Sequence, residues 1–349
     1  MQIKRIIDEY YDSFLKRYQG KVLSEQIKAL DAMRFCRTAE AGELFAKCSG
    51  CGHTEWRPLS CGNRHCPQCQ NHETSRWIDR QQAKLLPVHY FMVTFTLPAE
   101  FRTVAYRNQR QVYSLMFSCV SSTLKDFGLN PKKLGADIGM TMVLHTHSRK
   151  RDFHPHIHVI VPGGGINQSR RQWIKKKGKY LFSQKALAKV FRARFLDGLT
   201  THRLPVPNGV RSEWIVNCKR VGTGLSALKY LSRYLYRGVI SESSIIANQN
   251  GMVTFKYIES ETGETRFRTL EGEKFLRLLL IHVLPRGLRR IRDYGFLHSN
   301  ARKKLFLVQL ILHVKIKAVR LRQKPVYKCP FCKSPMLVIR ILPAGRKPG

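Results

Sequence analysis

The chain has 349 residues, 43% of them hydrophobic, enough for one large domain or two to three smaller ones. Lys and Arg number 62 against 23 Asp and Glu, a formal net charge of +39. An excess of that size, spread along the whole chain, repels itself and points to a polyanionic partner such as nucleic acid. Membrane-spanning and disulfide-stapled secreted classes are not expected. The most apolar runs, 275–284 and 305–314, are short and carry Arg277 and His282, or Gln309 and His313. The opening MQIKRIIDEY has charges where a secretory signal needs an apolar run. The expectation is a soluble, cytoplasmic protein, nucleoid-associated when bound to DNA. Its ten cysteines then serve as metal ligands and not as disulfides.

Residues 1–35 read as helical, with Ile6, Tyr10, Phe14 and Leu15 at helical spacing. Residues 36–72 are dense in Cys, His and Gly and lack either regular period, the pattern of a small metal-stapled module. A short helix is expected over 76–86, stopped by Pro87. Strands follow at 89–97, 139–147 and 156–161, with a helix at 106–127 between the first two. A helix at 184–199 and a strand at 213–219 precede a basic amphipathic helix at 225–237. Segments 239–246 and 252–258 are expected to pair around Asn250-Gly251, and helices are expected at 272–283 and 301–319. Mixed strands and helices with antiparallel neighbours make the fold class α+β.

Cys48-x-x-Cys51 and Cys66-x-x-Cys69 are two knuckles, and two such turns close a tetrahedral zinc shell. Cys36, His53, Cys61 and His65 lie nearby as candidates for a second shell. The zinc role is structural, because no Glu stands in a metalloprotease or deaminase arrangement with these residues. Cys329-Pro-Phe-Cys332 is a knuckle without an evident partner, open to zinc with help from elsewhere, to pairing between chains, or to no ligand at all.

In His154-Pro-His156-Ile-His158, strand alternation places His156 and His158 on one face and Ile157 toward the core. Two imidazoles on a rigid strand form half of a divalent-cation shell. Tyr230 and Tyr234, at i and i+4 of a helix, face the same way about 6 Å apart along the axis. A phenol with a pKa near 10 is a weak nucleophile, and a cation on the scissile phosphate would assist it. Attack gives a phosphotyrosine and a free hydroxyl, and a second tyrosine permits a second cleavage. Lys229, Arg233 and Arg237 flank the phenols and suit phosphate contact. Arg170, Arg171 and Lys175 form another candidate DNA patch, in which Trp173 is placed to stack a base. A further basic run covers 286–292.

Taken together, CSGCGH, SCGNRHCPQC, HPHIHVIVPGGG, YLSRYLYR and LLLIHVLPRGLRRIRDYGFL resemble the rolling-circle insertion-sequence transposases of the HUH two-tyrosine superfamily, IS91 type. The likeness runs from about residue 10 to about 340. It implies an antiparallel-sheet endonuclease core flanked by helices, with an N-terminal zinc-binding module. The implied divisions are 1–35 (helical), 36–86 (zinc-binding), 87–240 (catalytic core), 241–325 (its continuation) and 326–349 (a tail with the CxxC). His156 and His158 match the metal ligands, and Tyr230 and Tyr234 the paired nucleophiles. The implied reaction nicks and rejoins single-stranded DNA at element ends through 5′-phosphotyrosine, with Mg²⁺ or Mn²⁺. Such enzymes usually recruit a third ligand, for which His145 is the choice and His147 the runner-up, while His154 is left to contact DNA. A replication initiator or relaxase would share the chemistry. A non-catalytic zinc-dependent DNA-binding protein would explain the charge and cysteines alone, and a hydrolytic metalloenzyme would use the histidines alone.

Overall fold

The computed structural model describes residues 2–69, 71–226, 228–229, 239–259, 261–315 and 326–344. In chain order the N-terminal part contains α1 (Gln2–Arg17), α2 (Ser24–Arg34), β1 (Gly42–Cys48), β2 (Thr54–Pro58) and α3 (Asn71–Gln82). The middle contains β3 (His89–Thr96), α4 (Arg102–Arg107), α5 (Gln109–Leu129), β4 (Met140–His147), β5 (Phe153–Pro162), β6 (Gly164–Asn167), β7 (Gln172–Lys175), α6 (Gln184–Thr201) and β8 (Val216–Thr223). The last part contains β9 (Ile245–Gln249), β10 (Met252–Ile258), β11 (Thr265–Glu271), α7 (Gly272–Leu280), β12 (Ile291–Tyr294), α8 (Arg302–Ile311) and β13 (Met336–Pro343). The class is α+β, as expected.

A five-stranded sheet in the order β12-β4-β5-β3-β8 forms the centre, every pair antiparallel. Alternation along β5 sorts its side chains. Ile157, Val159 and Val161 are fully buried in the main core beneath α5 and α6, beside Phe95, Phe191 and Phe195. His156, His158 and Ile160 point to the opposite face. Burying each such aliphatic side chain stabilises the fold by about 1.5–3 kcal/mol. A one-residue slip of β5 would exchange the two faces, so the same burial that holds the sheet together also aims the imidazoles.

Three smaller sheets accompany it among the described residues: the two-stranded β6–β7 and two of three strands. The β9–β10 hairpin turns at Asn250-Gly251, whose φ values of 51° and 75° are those of the two-residue turn expected there. A strand not anticipated, β11, pairs along the whole of β10. Its TRFRTLE sequence alternates too weakly to announce a strand, because most of its side chains are exposed. In the sheet β13-β1-β2, strands β1 and β2 come from the region that showed no period. This sheet is short and stapled by cysteines, so few apolar side chains mark it.

The expected boundaries at 35 and 240 run through a single packed unit. Ile3, Ile7 and Phe14 of α1 and Leu30 of α2 share a core with Ile245, Phe255, Phe275 and Leu280. Within the expected 326–349 tail, β13 pairs with β1 from Gly42 to Cys48. The helix expected over 301–319 ends at Ile311, and residues 316–325 lie outside the described ones.

Candidate active site and metal centres

Three imidazoles converge on the face of the central sheet opposite the main core, where His145 and His158 are buried. The pairing of β4 with β5 sets His145 opposite His156, and that of β3 with β5 sets Thr94 opposite His158. Ring centroids are 4.8 Å apart for His156–His158, 4.5 Å for His145–His158 and 5.1 Å for His145–His156. One ring nitrogen from each lies within 4.8 Å of the others. Burial is the leading cause that pulls all three below the ordinary histidine range, His156 to about 4 and His158 to about 3. Neutral imidazoles with an available lone pair are what a cation needs. The His156 Nδ1–H donates to the His154 carbonyl at 2.7 Å, which leaves Nε2 as the ligand atom. His158 Nδ1 lies 2.9 Å from Thr94 Oγ1, the outer-shell contact that orients a ligating ring. The donor set therefore fits a divalent cation.

His147, the alternative third ligand, sits across a bulge in the β4–β5 pairing. Its Nδ1 reaches the Ser148 carbonyl and its ring meets His282 at 5.5 Å, away from the cluster. His154 lies 5.3 Å from the His156 ring and contributes its carbonyl there. Two side chains that sequence reasoning missed share this face. Thr94 supports His158, and Lys219 of β8, opposite Met92, adds positive charge that pulls His158 down further. The threonines at alternate positions of an otherwise apolar strand were the available signal.

Tyr230, Tyr234, Arg233 and Arg237 lie outside the described residues. Leu228, two residues before Tyr230, is buried against Trp77, Tyr90, Met92, Val143 and Ile160. Met92 and Ile160 alternate with Thr94 and His158 on the face that bears the imidazoles. Lys229 is exposed, as are Arg170, Arg171 and Lys175. Trp173 is half-buried, its indole edge-on to Phe296 at 6.0 Å and closing over Gly164. An isolated Trp in a basic run signals packing as readily as stacking.

The cysteines group differently from the expected pairing. Cys66 and Cys69 join Cys36 and Cys61, while Cys48 and Cys51 join Cys329 and Cys332. In the first group the Cys36–Cys69, Cys61–Cys69 and Cys36–Cys66 sulfur separations are 3.7, 3.6 and 3.8 Å. A disulfide needs about 2.05 Å, whereas a tetrahedron with zinc–sulfur bonds of about 2.3 Å has edges of about 3.8 Å. The set thus fits zinc. Neither candidate histidine joins a shell. His65 Nε2 accepts the Leu284 N–H at 3.3 Å, and the His53 ring packs edge-on against Phe331. The knuckles part because β1 carries one to the sheet's end while the 61–69 loop tucks toward α2. Arg64 in that loop donates to the carbonyls of Leu284, Pro285 and Leu288, tying the first cluster to the segment that leads into β12.

A family profile described as "Putative transposase" matches residues 139–304, and one described as "Transposase zinc-binding domain" matches residues 6–97. The "Putative transposase y4qJ" of Sinorhizobium fredii (strain NBRC 101917 / NGR234) is 33% identical, over 97% of this chain and 95% of its own length. The chain belongs to the IS91-type transposases. The transposase for insertion sequence element IS801 of Pseudomonas savastanoi pv. phaseolicola is 26% identical, over 81% of this chain and 72% of its own. Among solved structures, the conjugative relaxase TrwC in complex with mutant oriT DNA covers 64% of this chain and 73% of its own, at 13% identity and a TM-score of 0.29. A likeness that remote identifies no residue.

The zinc-binding profile spans Cys36, Cys48, Cys51, Cys61, Cys66 and Cys69, and the other spans the three histidines and both tyrosines. Cys329 and Cys332 fall outside both. Among the described residues, no helix of the transposase is long and apolar enough to cross a membrane. Because the first thiol cluster lies inside the core shared by α1, α2 and α7, a zinc ion held there would contribute folding energy directly. Changing Cys66 and Cys69 to Ser is expected to remove one zinc per chain and open the 36–69 region to protease. Zinc analysis with limited proteolysis checks this. Retained zinc and unchanged protection would contradict it.

Proposed function

We propose that this transposase nicks and rejoins single-stranded DNA at element ends through 5′-phosphotyrosine intermediates formed on Tyr230 and Tyr234. The observation that carries the reading is the convergence of His145, His156 and His158 on one sheet face, with Leu228, two residues before Tyr230, packed on that face. His145, His156 and His158 would hold Mg²⁺ or Mn²⁺, which when bound polarises the scissile phosphate and fixes its orientation. His154 and Thr94 keep the ligand rings aimed. Lys229, with Arg170, Arg171 and Lys175, supplies positive charge for the DNA backbone, joined by Arg233 and Arg237.

The phenol loses its proton and its oxygen attacks phosphorus. The new O–P bond replaces the bond to the 3′ oxygen, which leaves and is protonated to a hydroxyl. One phosphoester replaces another, so no external energy is consumed, and the DNA hydroxyl reverses the step when strands are rejoined. Tyr230 makes the first attack and Tyr234 the second.

The test combines the purified protein, Mg²⁺ or Mn²⁺, and single-stranded element ends labelled at either terminus. The expected result is a protein-linked 5′ end and a free 3′-hydroxyl, both lost with chelator. Free 5′-phosphate ends without a protein adduct would instead establish hydrolysis by the histidine cluster. DNA binding with no cleavage at any metal concentration would establish a non-catalytic DNA-binding protein.

A further inference from the structure

The C-terminal Cys329 and Cys332 have no role in the nicking chemistry and lie outside both segments matched by the family profiles. They meet Cys48 and Cys51 across 278 positions or more of chain, with Cys48–Cys332 at 3.3 Å and Cys51–Cys329 at 3.6 Å between sulfurs. The two knuckles repeat each other. The N–H of Cys48 donates to the carbonyl of His53 at 2.7 Å, and that of Cys329 to the carbonyl of Ser334 at 2.9 Å. The residue after each second cysteine is in the left-handed region, Gly52 at φ 75° and Lys333 at φ 62°. Gly50 and Cys51 both aim their N–H groups at the Cys48 sulfur, as they would at a thiolate. Gly50 also leaves room for the approach, since a Cβ there would come within 2.7 Å of Ser334 Oγ and 3.4 Å of the Cys332 sulfur.

We propose that Cys48, Cys51, Cys329 and Cys332 form a second structural zinc site, bipartite between the two ends of the chain, and that this ion clasps β13 onto β1. The apolar core beneath this sheet is small: Leu44, Ala46, Cys48, Cys329 and Met336, with Leu59 against it. Leu337, Val338, Ile339 and Ile341 of β13 remain exposed. Side-chain burial that slight does not repay the ordering of a whole C-terminal segment, whereas a four-thiolate zinc shell does. The four thiols are soft donors whose sulfurs all lie within 4.8 Å of one another, and release of their protons would accompany metal binding.

The full-length protein, purified under reducing conditions, tests this through metal analysis and hydrogen exchange. Two zinc ions per chain are expected. Cys329→Ser with Cys332→Ser should leave one zinc and raise amide exchange at least tenfold over 336–343, with exchange in β3, β4 and β5 unchanged. One zinc in the wild-type chain, iron in place of zinc, two zincs in the double variant, or lost zinc with unchanged exchange over 336–343 would each overturn the assignment. Should that variant fail to fold, graded chelation of the wild type gives the same reading. The first zinc equivalent released should coincide with exposure of 336–343, and release of both equivalents with that strand still protected would overturn it.

Discussion

Replacing both Tyr230 and Tyr234 by Phe is expected to lower covalent adduct formation by ~10⁴-fold or more, the scale on which a nucleophile's loss is felt. Single-stranded DNA binding should change less than about threefold, because Phe keeps the ring and removes only the attacking oxygen. Lys229, Arg170, Arg171 and Lys175 are exposed, and under the proposed reading their phosphate contacts would contribute through counterion release independently of the phenols. Tyr230→Phe alone should stop the first cleavage. Tyr234→Phe should allow one cleavage and block the second, leaving an adduct that is not passed on. Gel electrophoresis under denaturing conditions separates these outcomes. Equal adduct yield from the double variant would place the nucleophile elsewhere.

The second large effect belongs to the imidazoles. His158→Ala removes one of three converging donors and leaves Thr94 without its partner. A cation on a reacting phosphate stabilises transition-state charge by several kcal/mol, and each 1.36 kcal/mol is a factor of ten. The variant should therefore cleave ~10³-fold more slowly at a metal concentration that saturates the wild type. Thr94→Val tests the outer shell and should weaken metal affinity by about 10–100-fold, with cleavage restored by excess Mn²⁺. Ile157 faces the other side of β5 in the main core, so a loss at His158 that tracked only thermal stability would indicate a structural histidine.

The histidine site was legible because a strand's two-residue period is strict. With Ile157 turned to the core, His156 and His158 share the other face, and the adjacent strand brings His145 opposite them. The cysteines were less legible for a physical reason. CxxC spacing determines the local knuckle but says nothing about which knuckle closes with which. That depends on β1 running away from the 61–69 loop and on β13 returning from the far end of the sequence to pair with it. His53 and His65 had the right chemistry and proximity in sequence. The thiol shells are complete without them, so one packs against Phe331 and the other caps the Leu284 amide. A basic surface and an aromatic ring in one run do not say which face of β7 is covered, and Trp173 packs partly on Phe296. β11 escaped notice because exposed strands need no apolar alternation.

The most direct measurement is the mass of the protein peptide that carries DNA after reaction with a single-stranded element end and Mn²⁺, followed by nuclease trimming and proteolysis. A nucleotide phosphate joined to the phenol of Tyr230 or Tyr234 is the predicted product. Linkage to any other residue, or cleaved DNA with no modified peptide, would contradict it.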